Sequence, residues 1–381
     1  MFKNRYILIR NLALLFIVGN LMYWIFPFPP VVWRLAIVLL SLYVIFFEGG
    51  IKTKFEKTVV IFAGVNLLYF FLSFGSIVPS TTQIGNTLCA LLTLSLFACC
   101  GEKGVMTDKF FTVVSIILLL ASIAAYYHAQ ITAWIQYGLQ EGTDITNNAT
   151  SAFLMLLPML FLIKKDWLKM VFLVFSLFFL IMGAKRGNIL AAIIPMGLFV
   201  WYMLKDSRHS VGKTFAVVLS VVIVGYMAYN WFSTNDYLMY RLEQTAEGDS
   251  SERDLIYANA WHTWWDSDNF INQLFGYGYD ATIHVPSMEG SRAHNDWLEI
   301  LVDFGLFGIV FYVSVFLTFW RHIRGTRNLN IRLILLSAFF IWLFKSAYSM
   351  GFTENNMSLL MLSLGTAIGW TRNKRVVTVK R

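Results

Sequence analysis

Twelve separate runs of 15 to 23 apolar residues constrain this chain of 381 residues more than any other feature. The hydrocarbon core of a bilayer is about 30 Å thick, and a helix crosses it with about 20 apolar residues. No soluble core needs such runs repeated along a chain. Composition agrees: 57% of the residues are hydrophobic and 14% charged, where a globular chain spends about 25% on charge. The same figures exclude a disordered chain, a collagen-like fibre and a disulfide scaffold. Each run is continuously apolar, whereas a barrel strand alternates, so helices are expected. The expected class is an all-α polytopic membrane protein, a single membrane domain over residues 1–381.

The expected spans are Leu8–Phe26, Val31–Phe47, Thr58–Val78, Ile84–Cys100, Phe110–Ala129, Ala149–Ile163, Trp167–Ala184, Asn188–Leu204, Thr214–Phe232, Leu298–Trp320, Leu333–Met350 and Met357–Thr371. Basic residues orient them. The amino terminus, the carboxy-terminal tail and every second connection hold 23 of the 30 lysines and arginines. By the positive-inside rule that side is cytoplasmic, and both termini lie there. The net charge of +8 then reports topology and contact with anionic membrane lipid, and nucleic acid is not an expected partner. The first run lacks a small-residue cleavage site and reads as an uncleaved anchor. Cys89, Cys99 and Cys100 share one apolar run without metal-ligand spacing, which points to packing.

Chemistry is expected on the outer face, where only Arg34, Lys185, Arg186, Arg241, Arg253, Arg292 and Lys345 escape the topology rule. Charges placed against that rule and against the cost of burial in a bilayer are functional candidates. Arg34 follows Trp33 at an outer helix end and reads as a snorkelling anchor. Lys185 and Arg186 sit in a very tight turn between two apolar runs. The preceding run is short for the bilayer, so the turn should be recessed. A recessed arginine attracts an anion more strongly than one in water, and its planar fork suits phosphate oxygens. An interfacial anchor pair is the plainer reading of the same two residues.

One long outer connection, 233–297, carries 11 acids against three arginines. Its tryptophans and tyrosines argue for structure. Ser251 can cap a helix from about Glu252 to Asp266 with Arg253 in its first turn. Trp261, Trp264 and Trp265 then share one face, suited to headgroups or to packing. Gly276-Tyr277-Gly278 reads as a tight turn. Asn295 is a candidate cap for the next helix, which sets His294 just before its positive end. That field should keep the imidazole neutral and able to accept a proton. Asp303 and Lys345 lie at similar depth on neighbouring helices and are expected to form a structural pair, because an unpaired charge there is costly.

The stretch His294-Asn295-x-x-Leu298-x-x-Leu301-x-x-x-Gly305-x-x-Gly308 resembles the signature of the bacterial O-antigen ligase/O-antigen polymerase family. Arg186-Gly187, Arg253 and Gly276-Tyr277-Gly278 fall in the expected order, and the resemblance spans roughly 171–311. It implies a metal-independent, inverting membrane glycosyltransferase of the bacterial inner membrane, working at its periplasmic face without cofactor in O-antigen or capsule biosynthesis. The donor would be an undecaprenyl-pyrophosphate-linked glycan. The acceptor would be a hydroxyl on a second glycan, on lipid A-core or, in related enzymes, on a protein. A chain-length regulator and a flippase are further candidate partners. Carried over by residue, Arg186 and Arg253 would hold pyrophosphate and His294 would deprotonate or orient the acceptor. Lys185, Arg292, Tyr277 and Asn295 are added as candidate substrate contacts. Lys185 before the arginine and a rather short loop depart from the family pattern.

The residues agree with that chemistry. A glycosyl pyrophosphate is already activated, so fixed cations can stabilise the leaving charge, and histidine is a base of suitable strength. A transporter or flippase of lipid-linked sugars would instead place polar residues or helix breaks near mid-membrane in matched halves. A non-catalytic assembly subunit is another reading. A zinc enzyme built on His262, His284 and His294 has no ligand spacing behind it. Polymerase and ligase share donor, side and residues; the modest loop favours polymerase.

Overall fold

The computed structural model describes residues 2–74, 78–140, 145–206, 253–288 and 290–373, with six isolated helical positions between 219 and 230. Helices α1 (Phe2–Leu21), α2 (Pro30–Phe47), α3 (Lys54–Ser73), α4 (Thr81–Glu102) and α5 (Asp108–Tyr137) come first. A short α6 (Ser151–Leu156) follows, then α7 (Asp166–Met182) and α8 (Arg186–Asp206). In the long connection stand α9 (Arg253–Trp265) and α10 (Phe270–Phe275). The chain closes with α11 (Asp296–Gly325), α12 (Leu329–Tyr348) and α13 (Met357–Arg372).

Seven of these, α2 to α5, α8, α11 and α12, are long and apolar enough to cross a membrane. The protein is an all-helical, multi-pass membrane protein. Other expected spans correspond to helices of lesser reach. α7 and α13 are 17 and 16 residues long, and the apolar part of α1 is diluted by Lys3, Arg5 and Arg10 inside the helix. Ala149–Ile163 was expected as one span, and it is broken instead. Pro158 has no N–H to donate and its ring crowds the preceding turn, so α6 stops at Leu156 and the chain continues as a 3-10 segment, Leu157–Phe161. The expected ninth span, Thr214–Phe232, lies largely outside the described residues, as do Ser251 and Glu252.

α4 is the axis of the bundle, with an unbroken buried stretch from Cys89 to Gly101 that includes all three cysteines. α13 lies against it at backbone distance: a Cβ on Gly365 would meet the Leu94 carbonyl at 2.6 Å, and one on Gly369 would be closer still to the Ala98 carbonyl. Small residues four apart allow this approach where lipid offers no hydrophobic gain from association. At one end of the bundle the basic connections meet carboxylates. Arg372 bridges Glu56 and Glu102, Lys52 reaches Glu102 at 2.5 Å, and Arg5 reaches Glu48 at 2.5 Å. The cavities described below open at the other end.

α11 is interrupted where it leaves that second end. Gly305 has φ +63° and ψ −158° inside the helix, a conformation that favours glycine. The break frees carbonyls that a continuous helix would use internally. Tyr277 N–H donates to the Val302 carbonyl at 2.9 Å and Gly278 N–H to the Asp303 carbonyl at 3.0 Å. Gly276, at φ +75°, comes so close to Asp303 and Phe304 that a Cβ would collide with their backbone. The Gly276-Tyr277-Gly278 turn and Gly305 are thus two halves of one joint between the long connection and α11.

Candidate active site

Four chain segments converge at this end. The turn between α7 and α8 is built by a glycine and a strained alanine. A Cβ on Gly183 would strike the Thr150 side chain, and Ala184 takes φ +48°. This reverses the chain so that the Lys185 carbonyl accepts the first N–H groups of α8, from Asn188 at 2.9 Å and Ile189 at 3.2 Å. Arg186 follows as the first residue of α8.

The second segment is α9, which begins at Arg253. The third is the approach to α11, where Asn295 caps the helix through its side-chain oxygen, accepting from Trp297 N–H at 2.9 Å and Leu298 N–H at 3.3 Å. His294 stands immediately before it with φ +50°. The fourth is the end of α12, whose last carbonyls have no helical partner. The Asn295 amide donates to the Ala347 carbonyl at 3.0 Å, and Arg253 donates to the Tyr348 carbonyl at 3.1 Å. One helix end therefore registers both Arg253 and the residue after His294.

Between these segments lies a cavity of about 390 Å³ lined by Lys185, Arg186, Arg253, Asp254, Tyr257 and His294, with Tyr348 and Ser349 at its edge. Three of its lining side chains are cations and one is a carboxylate. Their proximity acts on the groups that titrate. Burial, with Lys345 and Arg253 adding to it and Glu354 opposing, pushes the Lys185 ammonium down to about 8. Partial burial, followed by Arg253, Lys185, Arg292 and Lys345, holds the His294 imidazole below its ordinary value. The ring is nevertheless exposed to the cavity. An accessible neutral imidazole beside several cations can accept a proton from a hydroxyl, and the cations can hold an anion.

The structure brings together Lys185, Arg186, Arg253 and His294, and places the other candidates elsewhere. Arg292 was expected to touch substrate; its guanidinium instead sits 2.5 Å from Asp280 and 3.2 Å from Glu299, and it does not line the cavity. Its role is to hold the segment: the same Glu299 accepts the Ala293 N–H at 2.9 Å. Tyr277 donates its hydroxyl to the Thr263 carbonyl at 3.0 Å, outside the cavity. Asn295 is the helix cap described above.

The expected pair of Asp303 with Lys345 does not form. The break at Gly305 turns Asp303 towards the Gly276–Asp280 loop, where its carboxylate accepts N–H groups from Asp280 at 3.0 Å and Thr282 at 3.3 Å. Lys345 is buried and pairs with Glu354 at 2.7 Å, with Asn188 and Ser349 within 3.5 Å. Arg34 is not a snorkelling anchor either. It is buried and donates to the amide oxygens of Asn20 at 3.1 Å and Asn355 at 3.2 Å. Sequence reasoning missed Tyr257 in the cavity wall, although it is four residues from Arg253 and so on the same helical face. Nothing in the pattern marked Tyr348 or Glu354, whose positions depend on where α12 stops. Among the described residues no three His, Cys, Asp or Glu side chains gather as a metal site would need. His262 instead faces Asp266 at 2.9 Å.

Fold and site together define a multi-pass membrane protein with a cationic cavity and an accessible histidine at one end of its bundle. Residues 171–313 match the family described as O-Antigen ligase, which supports assignment of the chain to the O-antigen ligase/polymerase family. The match runs from within α7 to the middle of α11 and so takes in Lys185, Arg186, Arg253 and His294. No curated protein matches the chain.

Proposed function

We propose that this protein transfers a glycan from an undecaprenyl-pyrophosphate donor to a hydroxyl of an acceptor glycan at the periplasmic face of the bacterial inner membrane. The observation that carries the reading is the convergence of Lys185, Arg186, Arg253 and His294 on one cavity of about 390 Å³. In this reaction the acceptor hydroxyl gives its proton to the His294 imidazole while its oxygen attacks the anomeric carbon. The bond from that carbon to the pyrophosphate oxygen breaks on the opposite face, which inverts the centre. The departing pyrophosphate carries growing negative charge, which Arg186, Arg253 and Lys185 stabilise before the lipid carrier leaves. Arginine presents a fork matched to phosphate oxygens. The donor bond is already activated, so the step needs neither nucleotide nor metal.

The orientation follows from the charge pattern: the site lies at the end away from the paired basic connections, which the positive-inside rule assigns to the cytoplasm. The outer connection is modest for docking a bulky lipid A-core, which favours a repeat-unit polymerase, with ligase or protein glycosylation as the alternative by the same chemistry. Deletion of the gene tests this. A single repeat on core supports the polymerase, whereas full chains stranded on the carrier lipid support the ligase. Unchanged surface glycan would reject both. The reading also fails if His294→Ala restores full glycan to the deleted strain.

A further inference from the structure

A second cavity, of about 400 Å³, lies beside the first, and Thr146 and Asn148 line both. Its chemistry is different. α5 runs 30 residues, about 45 Å at 1.5 Å per residue, so its last turns outreach a bilayer core of about 30 Å. That projecting end supplies one wall, with His128, Thr132 and Gln136. The turn after α1 supplies Tyr23 and Trp24. The Trp24 and His128 rings stack face to face at 4.0 Å, and Tyr23 stands edge-on to both. Amides complete the lining. Asn20 and Asn355 are fixed from behind by the buried Arg34 and joined to each other at 3.1 Å. The sole formal charge among the described lining residues, Glu354, is neutralised by Lys345.

Such a wall suits neither of the membrane's common occupants. An acyl chain would offer no hydrogen bond to the polar side chains of the lining, such as Thr132, Gln136 and Asn148. A phosphate would find no free cation, because the Arg34 guanidinium is behind the wall. A sugar ring fits both halves. Its C–H face is apolar and lies against aromatic rings, and its rim of hydroxyls can exchange hydrogen bonds with fixed amides. We infer that this second cavity is a glycan subsite, holding neutral, hydroxyl-rich sugar residues beside the pyrophosphate cavity. The inference rests on the proposed function for its meaning, and on the lining alone for its chemistry.

The test uses the purified full-length protein in detergent. The probes are inorganic pyrophosphate and a lipid-free oligosaccharide released by mild acid from the surface polysaccharide of the organism that carries the gene. Saturation-transfer NMR and titration should show oligosaccharide binding that weakens at least tenfold in Trp24→Ala and in Gln136→Ala and is unchanged in Arg253→Ala. Pyrophosphate should show the reverse. Gln136 is exposed at the end of α5, so its loss leaves folding intact and keeps the result readable if Trp24→Ala fails to fold. Oligosaccharide that does not bind at millimolar concentration, or binds both variants as tightly as the parent, overturns the inference. Glycan binding without any transfer activity would reject the proposed function while upholding the subsite. In a transfer assay, a raised KM for one substrate alone assigns the subsite to that substrate's glycan, and unchanged KM for both overturns it.

Discussion

Two charged regions flank the cap of α11, and they use arginine in opposite ways. On one side Arg292 is enclosed by Asp280 and Glu299, with Asp303 close behind and every carboxylate taking hydrogen bonds from nearby N–H or O–H groups. On the other side Arg253 spends one of its five donors on a helix-end carbonyl, and its guanidinium borders an open cavity beside Lys185 and Arg186. Both arginines come from the same long connection and both were expected to bind substrate. The difference is what surrounds them. A cation enclosed by buried carboxylates holds architecture together, while one that borders an open cavity can meet an anion there.

The contrast can be broken by experiment. The largest effect is expected at His294: replacement by alanine should lower transfer by about 10²- to 10⁴-fold, the range general base catalysis supplies. Thermal stability should change little, since the side chain is exposed to the cavity. Arg253→Ala should cost about 10²-fold in kcat/KM through lost stabilisation of the leaving group, with a small drop in Tm from its bond to Tyr348. Arg292→Ala should behave the other way, because it leaves buried carboxylates uncompensated. A loss of about 3 kcal/mol in stability is expected, visible as poor yield and a lowered Tm in detergent. A stable but inactive Arg292→Ala protein would erase the distinction drawn above.

The pH profile sharpens it further. Imidazolium cannot accept a proton, so kcat/KM should rise with pH through a midpoint below the usual imidazole value of about 6.5. Lys185 is charged below about 8 and neutral above it, so binding of the donor should weaken on the alkaline side. Lys185→Arg keeps the cation and should extend activity by a few-fold above pH 8 while leaving the acid limb in place. A profile whose alkaline limb survives that substitution would assign the limb to another group.

Much of this was legible in the sequence, and what was not has definite causes. Apolar run length placed most of the expected spans on helices, and seven of those helices are long and apolar enough to cross a membrane. Lys185, Arg186, Arg253 and His294 could be singled out because their charge or position defies the membrane's ordinary rules. Their neighbours were harder. Depth along a helix put Asp303 opposite Lys345, but depth carries no azimuth once Gly305 breaks the helix. Glu354, the true partner, lies in a connection of a few residues whose path is set by α12 and α13 together. Arg292 and Arg253 look alike in a one-dimensional reading because enclosure is a property of the folded chain. The interruption at Ala149–Ile163 could have been anticipated from Pro158, whose effect on a helix is local.

The joint at Gly305 has a consequence for how the active end is aligned. It bends α11 after the nine residues that follow the Asn295 cap and clamps those residues to the Gly276–Gly278 turn through Tyr277 and Gly278, while Tyr312, beyond the bend, donates its hydroxyl to Asp296 at 2.6 Å. The imidazole therefore takes its bearing from two sides, the turn in the long connection and the end of α12 that holds Asn295. A shift of α12 in the membrane would therefore reach His294 through one hydrogen bond, from the Asn295 amide to the Ala347 carbonyl.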